Sequence, residues 1–578
     1  VRVRTSSATG DTAAGEHVDA VVIGSGFGGA VSAFRLAEAG LSVVVLERGR
    51  AYPPGSFPRS PREMGRAFWD PEDGLHGLFD VWSFDGFESL VSSGLGGGSL
   101  IYANVLLRKD ERWFVREEPL PGGGYETWPL TRADLDPHYD AVEQMLAPVP
   151  YPFDAAPYSD TPKTRAMQQA ADRLGLDWQL PPLAVSFASR PGAAPEVGAR
   201  IDAADYGNLH GVPRRTCRLG GDCDIGCNEG AKNSLDHTYL SAAAHHGADI
   251  RTLSEARGIG ARDGGGYDVE YARHDADDPS AAPVLRRMSA TRVVLAAGTF
   301  GTAHLLLSNR ANLPGIGSAL GTRFSGNGDL LTFLTPGEHE RVFHASRGPV
   351  ITSAVRGDDT VDGGSGRGFY LEDGGYPGFV DWMVEPVRAR QGLRTAAFVA
   401  DWLGRRLRRS GDSRLSEEVS RLIGDGSFSA GALPLLGMGR DVPDGVLALR
   451  EDGRLGVEWT TTTSREYFGR VRETMAALAD ELGVRLRDNP LWMFRRVVTV
   501  HPLGGAPMGR DPATGVCDGF GEVFGHPGLY VADGSAMPGP VGTNPSLTIA
   551  AHADRMSTRI LERRRTDTAA ATRPRRSS

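Results

Sequence analysis

Apolar residues come in short uninterrupted runs near the N-terminus, and a single helical period separates them. Residues 18–49 read VDAVVIGSGFGGAVSAFRLAEAGLSVVVLERG. Residues 18–23 show no polar alternation, which predicts a strand buried on both faces. Residues 30–39 carry small and apolar side chains at helical spacing and stop at Gly40, so they predict a helix with a glycine end. Residues 43–46, all apolar, predict a second strand that delivers Glu47. The same texture returns in TRVVLAAGTFGTAHLLLSNR at 291–310, as strand, turn and helix, and again at 529–532, a strand ending in Asp533. After Asn544 the small and apolar residues of PSLTIAA predict one more helix. Two stretches, 151–227 and 326–500, have a different texture, rich in proline, glycine and aromatic residues.

The turn between the first strand and helix is Gly24-x-Gly26-x-x-Gly29. Within strand, turn, helix, strand and acid, these glycines permit a sharp turn, close approach of backbone to a pyrophosphate and close helix–strand packing. Phe27 and Gly28 belong to the same loop. Glu47, about 20 residues on, suits ribose hydroxyls and disfavours a 2′-phosphate, so FAD or NAD is expected over NADP. A second glycine cluster, SSGLGGGSL, offers Gly97 and Gly98 for close backbone approach, with Ser99 and then Asn104 as hydrogen-bonding groups. Gly298, in the Ala-Ala-Gly turn, and Asp533 with Gly534 stand at the ends of further strands, where a carboxylate can meet a ribose or ribityl hydroxyl. The expected fold is α/β. A Rossmann-type cofactor domain is assembled from segments 16–150, 228–325 and 501–563, and an α+β substrate domain with a mainly antiparallel sheet from 151–227 and 326–500. Residues 1–15 and 564–578 read as disordered tails, and there is no internal repeat.

Composition narrows the function. With 578 residues and 40% hydrophobic side chains the chain can bury large cores. A net charge of −9 gives no general attraction to nucleic acid or anionic membrane. No apolar stretch approaches the roughly 18 residues of a spanning helix. The N-terminal stretch lacks an apolar signal region, so the chain as written reads as cytoplasmic. Cys217, Cys223 and Cys227 have the spacing C-x5-C-x3-C, which matches no common zinc site. A glycine-rich loop near the cofactor is the preferred reading, and no metal is expected. LRTAAFVADWLGRRLRRS at 393–410 puts Phe398, Trp402 and Leu403 among arginines. A solvated surface helix is favoured there over peripheral contact with a membrane.

The candidate chemistry lies near the C-terminus, at His501 in VTVHPLGG and Asn544 in VGTNPSLTIAA. Pro545 pushes Asn544 out of the helical region, so its amide stands just before a helix at the positive end of the dipole. In the substrate region Glu372, in GFYLEDGGYP, is the favoured buried carboxylate, with Asp373 and Glu385 as rivals; burial would raise its pKa and fit it to carry a proton.

GSGFGG with Glu47, GLGGGSL, VVLAAGTFGT, HPLGG and LYVADGSAMPGPVGTNPSLTIAA together resemble the glucose-methanol-choline oxidoreductase family, and within it the flavin-dependent cholesterol oxidases. The matches span residues 18–556. The resemblance implies FAD held without a covalent bond and hydride transfer from an alcohol carbon to flavin N5. It also implies His501 orienting the hydroxyl and accepting its proton, with Asn544 polarising the same oxygen or the flavin edge. The implied substrate is a small alcohol, a 3β-hydroxysteroid first, with oxygen or an electron carrier as acceptor. A dehydrogenase of a sugar or another secondary-metabolite alcohol is the alternative. For a sterol, Glu372 would move the proton that converts the 5-ene to the 4-ene ketone.

Overall fold

The computed structural model describes residues 16–571 except 122, 276, 279–280, 337–342, 358, 360–366, 376–430, 490–491 and 493–495. Glu385 and the 393–410 segment lie outside the described residues.

The all-apolar runs become the centre of a seven-stranded sheet. Its order is Asp249–Arg251, Val43–Leu46, His17–Ile23, Val284–Leu295, Tyr267–Arg273 and Ser254–Ala261, with Leu529–Val531 also paired to Val284–Leu295. The first four and Leu529–Val531 pair in parallel, whereas Tyr267–Arg273 and Ser254–Ala261 complete an antiparallel meander. Val21, Val22, Val45, Val293 and Val294 are fully buried, as a sheet covered on both faces requires. One side is covered by the helix Phe27–Glu38 packed on Ser546–Ala571. Phe27–Glu38 begins three residues earlier than the apolar pattern suggested, because Gly28 and Gly29 continue the helix into the turn. Strands from three distant parts of the sequence thus meet in one sheet.

One expectation is corrected at the C-terminus. The last helix runs to Ala571, so residues 564–571, expected in a disordered tail, continue it. Arginine and alanine there are good helix formers.

A second sheet of six strands is antiparallel throughout, in the order Asp177–Gln179, Ala354–Arg356, Phe369–Asp373, Leu433–Gly439, Leu330–Thr335 and Arg485–Asp488. Strand alternation gives Phe369–Asp373 two faces. Phe369 and Leu371 join the core made with the helices Pro162–Leu174 and Arg465–Leu482. On the other face Tyr370 packs with Trp113 and Met438, and Glu372 lies on that same face. A third, three-stranded sheet pairs Val497–Thr499 in parallel with Phe87–Ser92 and ends two residues before His501. No described helix is long and apolar enough to cross a membrane.

Candidate active site

At the end of the first strand the glycines divide into two kinds. A Cβ added to Gly24, Gly28 or Gly29 would lie 2.2, 2.2 or 2.0 Å from a backbone oxygen, of Ala296, Ala532 and Gly24 respectively. These three close the strand, the helix and the neighbouring strands against one another. Gly26 differs: its φ of −70° suits any residue and a Cβ there would meet nothing within 4 Å. Gly98 likewise faces open space, and Gly97 abuts Gly26. The two glycine loops therefore leave a channel over the N-terminus of the helix Phe27–Glu38, whose free N–H groups favour an anion. Phe27 closes one side against Tyr102, with ring centroids 5.5 Å apart. Glu47 is buried at the end of the neighbouring strand and accepts from Ser25 N, Ser25 Oγ and Gly49 N at 3.1, 2.6 and 2.8 Å.

Two residues read as ligand contacts have their hydrogen bonds within the protein. Ser99 Oγ donates to Gly96 O at 2.7 Å and accepts from Leu235 N at 3.0 Å, which ties the glycine loop to the 235 region. Asp533 accepts from Ser535 N and Oγ on one oxygen and from Gly298 N and Thr302 Oγ1 on the other, so its four acceptor positions are taken. Gly534 lies in the short turn that follows and its O accepts from Gly504 N, fastening the HPLGG segment. Asn104 is buried in a left-handed conformation, φ 72°, with its Oδ1 lacking a protein partner.

His501, Asn544 and Glu372 converge from three separate segments. Asn544 immediately precedes Pro545 and the helix Ser546–Ala571, and its Nδ2 donates to Glu372 Oε2 at 3.3 Å. Glu372 sits between Ala354 and Leu436 on the neighbouring strands, and this burial pushes its pKa up to about 8, against the hydrogen bond from Asn544 and the charge of His501. Glu372 Oε1 and Asn544 Oδ1 are both buried without partners. Asp373 turns the other way: it accepts from Thr352 N, Thr352 Oγ1 and Ser353 N and lies 3.7 Å from the buried Lys163 ammonium.

A residue that the sequence reading missed holds His501. Asp329 Oδ1 accepts from His501 Nδ1 at 2.8 Å, and its Oδ2 accepts the backbone N–H groups of Val500 and His501 at 2.8 and 3.1 Å. Burial lowers the imidazole pKa, but the charge and hydrogen bond of Asp329, with the charge of Glu372, outweigh it and hold His501 above its ordinary value. Nε2 has no hydrogen-bond partner among the described residues. The signal available in the sequence was an acid standing directly before an apolar strand, in SGNGDLLTFLT.

Family profiles for GMC oxidoreductases match residues 18–322 and 469–553. The chain belongs to the GMC oxidoreductase family. It is 30% identical to a cholesterol oxidase of Mycobacterium tuberculosis over 93% of this chain and 90% of the relative. It is also 27% identical to paromamine 6′-oxidase of Streptomyces fradiae, over 93% and 90% of the two chains, and 24% identical to 2-methyl-1,2-propanediol dehydrogenase of Mycolicibacterium austroafricanum, over 96% of each. This GMC oxidoreductase is therefore an alcohol-oxidising enzyme by family, with oxidases and dehydrogenases among its relatives.

GMC oxidoreductases are flavoproteins, and the residues present fit such a group. The channel beside Gly26 and Gly98 is one that a Cβ would enter, and the orphaned buried atoms Ser93 Oγ, Asn104 Oδ1, Asn544 Oδ1 and Ser546 Oγ await partners. Elsewhere Cys217, Cys223 and Cys227 are free thiols; among the described residues only His210, Asp236 and His237 have metal-like spacing, and His210 Nε2 already hydrogen-bonds Asp236 at 2.7 Å.

Proposed function

We propose that this enzyme binds FAD without a covalent bond and oxidises a 3β-hydroxysteroid, or an alcohol of similar apolar shape, with molecular oxygen as the final acceptor. The observation that carries the reading is the convergence of one imidazole nitrogen, His501 Nε2, with two partnerless buried oxygens, Glu372 Oε1 and Asn544 Oδ1, in a chain whose glycine loops leave open space at Gly26 and Gly98. Bound flavin supplies the acceptor for the hydride that leaves the alcohol carbon. Its pyrophosphate would lie over Gly26, Gly98 and the helix start, its ribose against Glu47, and its ring near Asn104 and Asn544. Segments 16–150, 228–325 and 501–563 form the cofactor domain in this reading, and 151–227 with 326–500 the substrate domain.

The protein's own groups divide the proton work. His501 Nε2 accepts the hydroxyl proton, and Asp329 on the far side of the ring offsets the charge that develops. The Asn544 amide, at the start of a helix, orients the same oxygen and favours negative charge beside it. Glu372 has a different task. Conjugating a 5-ene-3-ketone requires a base to remove a proton from C4 and return it at C6, and one buried carboxylate on one face can do both.

Glu372→Gln keeps the size and the hydrogen bond to Asn544 but cannot carry the proton. The variant is expected to reduce its flavin with a sterol and release peroxide while accumulating the unconjugated ketone, read as missing enone absorbance. Enone formed at the wild-type rate would remove Glu372 from the role and make Glu385 the next residue to test.

The same burial predicts a pH effect on stability. Glu372 keeps its proton to about pH 8 when folded but only to about 4.5 when unfolded, so the folded state binds the extra proton in between. Stability from this group is present below the unfolded value and is lost as pH rises through about 8, by up to about 5 kcal/mol. Glu372→Gln should therefore melt higher relative to wild type at pH 9 than at pH 5; an offset independent of pH would mean that the carboxyl is not desolvated.

A second reading is a dehydrogenase of a polar alcohol passing electrons to a carrier: the relative named 2-methyl-1,2-propanediol dehydrogenase favours it, and the one named paromamine 6′-oxidase favours a polar alcohol as substrate, both matching nearly the whole chain. Flavin bleached by such an alcohol and not restored by air would select it.

A further inference from the structure

His501 and Asn544 arrive from different segments, yet one turn holds both. In residues 325–329, SGNGD, the Asn327 side chain accepts from Gly542 N at 2.8 Å and donates to Thr543 O at 3.0 Å, which fastens the two residues just before Asn544. Two positions on, Asp329 binds the His501 ring and the backbone on its N-terminal side. The turn is itself fixed. Asp441 accepts from Ser325 Oγ at 2.5 Å and Gly326 N at 2.9 Å, Gly439 N donates to Asn327 O at 2.9 Å, and Tyr467 donates to Gly328 O at 2.9 Å. Asn327 and Asp329 are almost fully buried.

We propose that this turn is a positioning device: Asp329 fixes His501 as the Nδ1–H tautomer with the Nε2 lone pair free for the substrate hydroxyl, while Asn327 sets the place of Asn544. The proposal rests on the roles given above to His501 and Asn544. A carboxylate can only accept at Nδ1, so in the neutral ring Nε2 must be the acceptor. The charged groups facing the ring are Asp329 and Glu372. Asn327, at φ 54°, occupies a left-handed conformation that asparagine tolerates better than most residues.

Asp329→Asn discriminates sharply. The backbone N–H groups of Val500 and His501 need an acceptor, so the amide oxygen takes the Oδ2 position and the NH2 faces Nδ1. That forces Nδ1 to accept and moves the ring proton to Nε2, the wrong tautomer for taking a hydroxyl proton. The test is nitrogen NMR of histidine-labelled holoenzyme in the resting state, with His501 assigned by its loss in His501→Gln, together with the pH profile of anaerobic flavin reduction.

The expected results are Nδ1–H in wild type and in Asp329→Glu, and Nε2–H in Asp329→Asn. In Asp329→Asn the ring should titrate at lower pH, the low-pH limb of reduction should move the same way, and the plateau should fall between about ten- and a hundredfold, the scale for groups that orient a reacting ligand. Asn327→Gly keeps the turn conformation but deletes the amide; it should slow reduction about tenfold at every pH while leaving the His501 tautomer and the limb in place. An Nε2–H ring in wild type, an unchanged tautomer and limb in Asp329→Asn, or a shifted limb in Asn327→Gly would each overturn the proposal. The tautomer is read without turnover. Failure to oxidise any alcohol would count against the function proposed above and not against the turn.

Discussion

His501→Ala should retain its flavin and yet reduce it at least about a hundredfold more slowly when alcohol is added without air, the scale of a positioned acid–base group. The channel beside Gly26 contains no part of His501, so cofactor occupancy should not change. In the proposed role, what is lost is the acceptor for the hydroxyl proton, the ring whose far side Asp329 holds at 2.8 Å. Because Asp329 and Glu372 raise the His501 pKa above its ordinary value, wild-type reduction should fall on the acid side of that raised value, where the ring is already protonated. The residual reduction in His501→Ala should lack that limb. Asn544→Leu should also slow reduction, and should lower the flavin potential because the amide and helix start no longer favour negative charge there. Near-normal rates in both variants would place the chemistry elsewhere.

Gly26→Val should fold and remain colourless. Its backbone conformation suits any residue, and a Cβ there enters space with no protein atom within 4 Å, so the chain loses nothing of its own packing. In the proposed assignment the side chain instead occupies the path of the pyrophosphate, and flavin affinity should fall by more than about a hundredfold, since steric exclusion removes the contact altogether. Gly29→Ala is the contrasting case. Its Cβ would sit 2.0 Å from Gly24 O, so the loss should appear as destabilised protein rather than as stable apoprotein. Flavin content per folded molecule, measured beside melting temperature, separates the two outcomes; a yellow Gly26→Val protein would contradict the assignment of the channel.

How far these features were legible from sequence depends on the distance between partners. The turn at Gly24–Gly29 and the acid at Glu47 belong to one strand–helix–strand unit, so their spacing along the chain is their spacing in space. HPLGG and the Asn544-Pro545 step were visible for a similar reason, since proline restricts and glycine frees the backbone locally. Glu372 stood out as an acid in an apolar strand. That it meets Asn544 depended on pairing between Phe369–Asp373 and Leu433–Gly439, which short strands joined by long connections do not reveal. Asp329 was missed because its partner lies 172 residues away, and the acid was passed over as the beginning of a strand. Ser99 and Asp533 show that a side chain read as a ligand contact also has partners inside the protein. Their residue types suit a ligand, but buried loops also need donors and acceptors: backbone groups hydrogen-bond Ser99, and backbone groups together with the Thr302 and Ser535 hydroxyls hydrogen-bond Asp533. The extension of the last helix to Ala571 was hidden by arginines that read as a solvated tail, although they are also strong helix formers.

The most direct measurement is the visible spectrum of the purified protein mixed anaerobically with single alcohols and then exposed to air. The account predicts that a 3β-hydroxysteroid bleaches the flavin, that air restores the colour with release of one peroxide per turnover, and that acid releases the flavin from the protein. A protein that binds no flavin, or whose bound flavin is bleached by no alcohol, would contradict it.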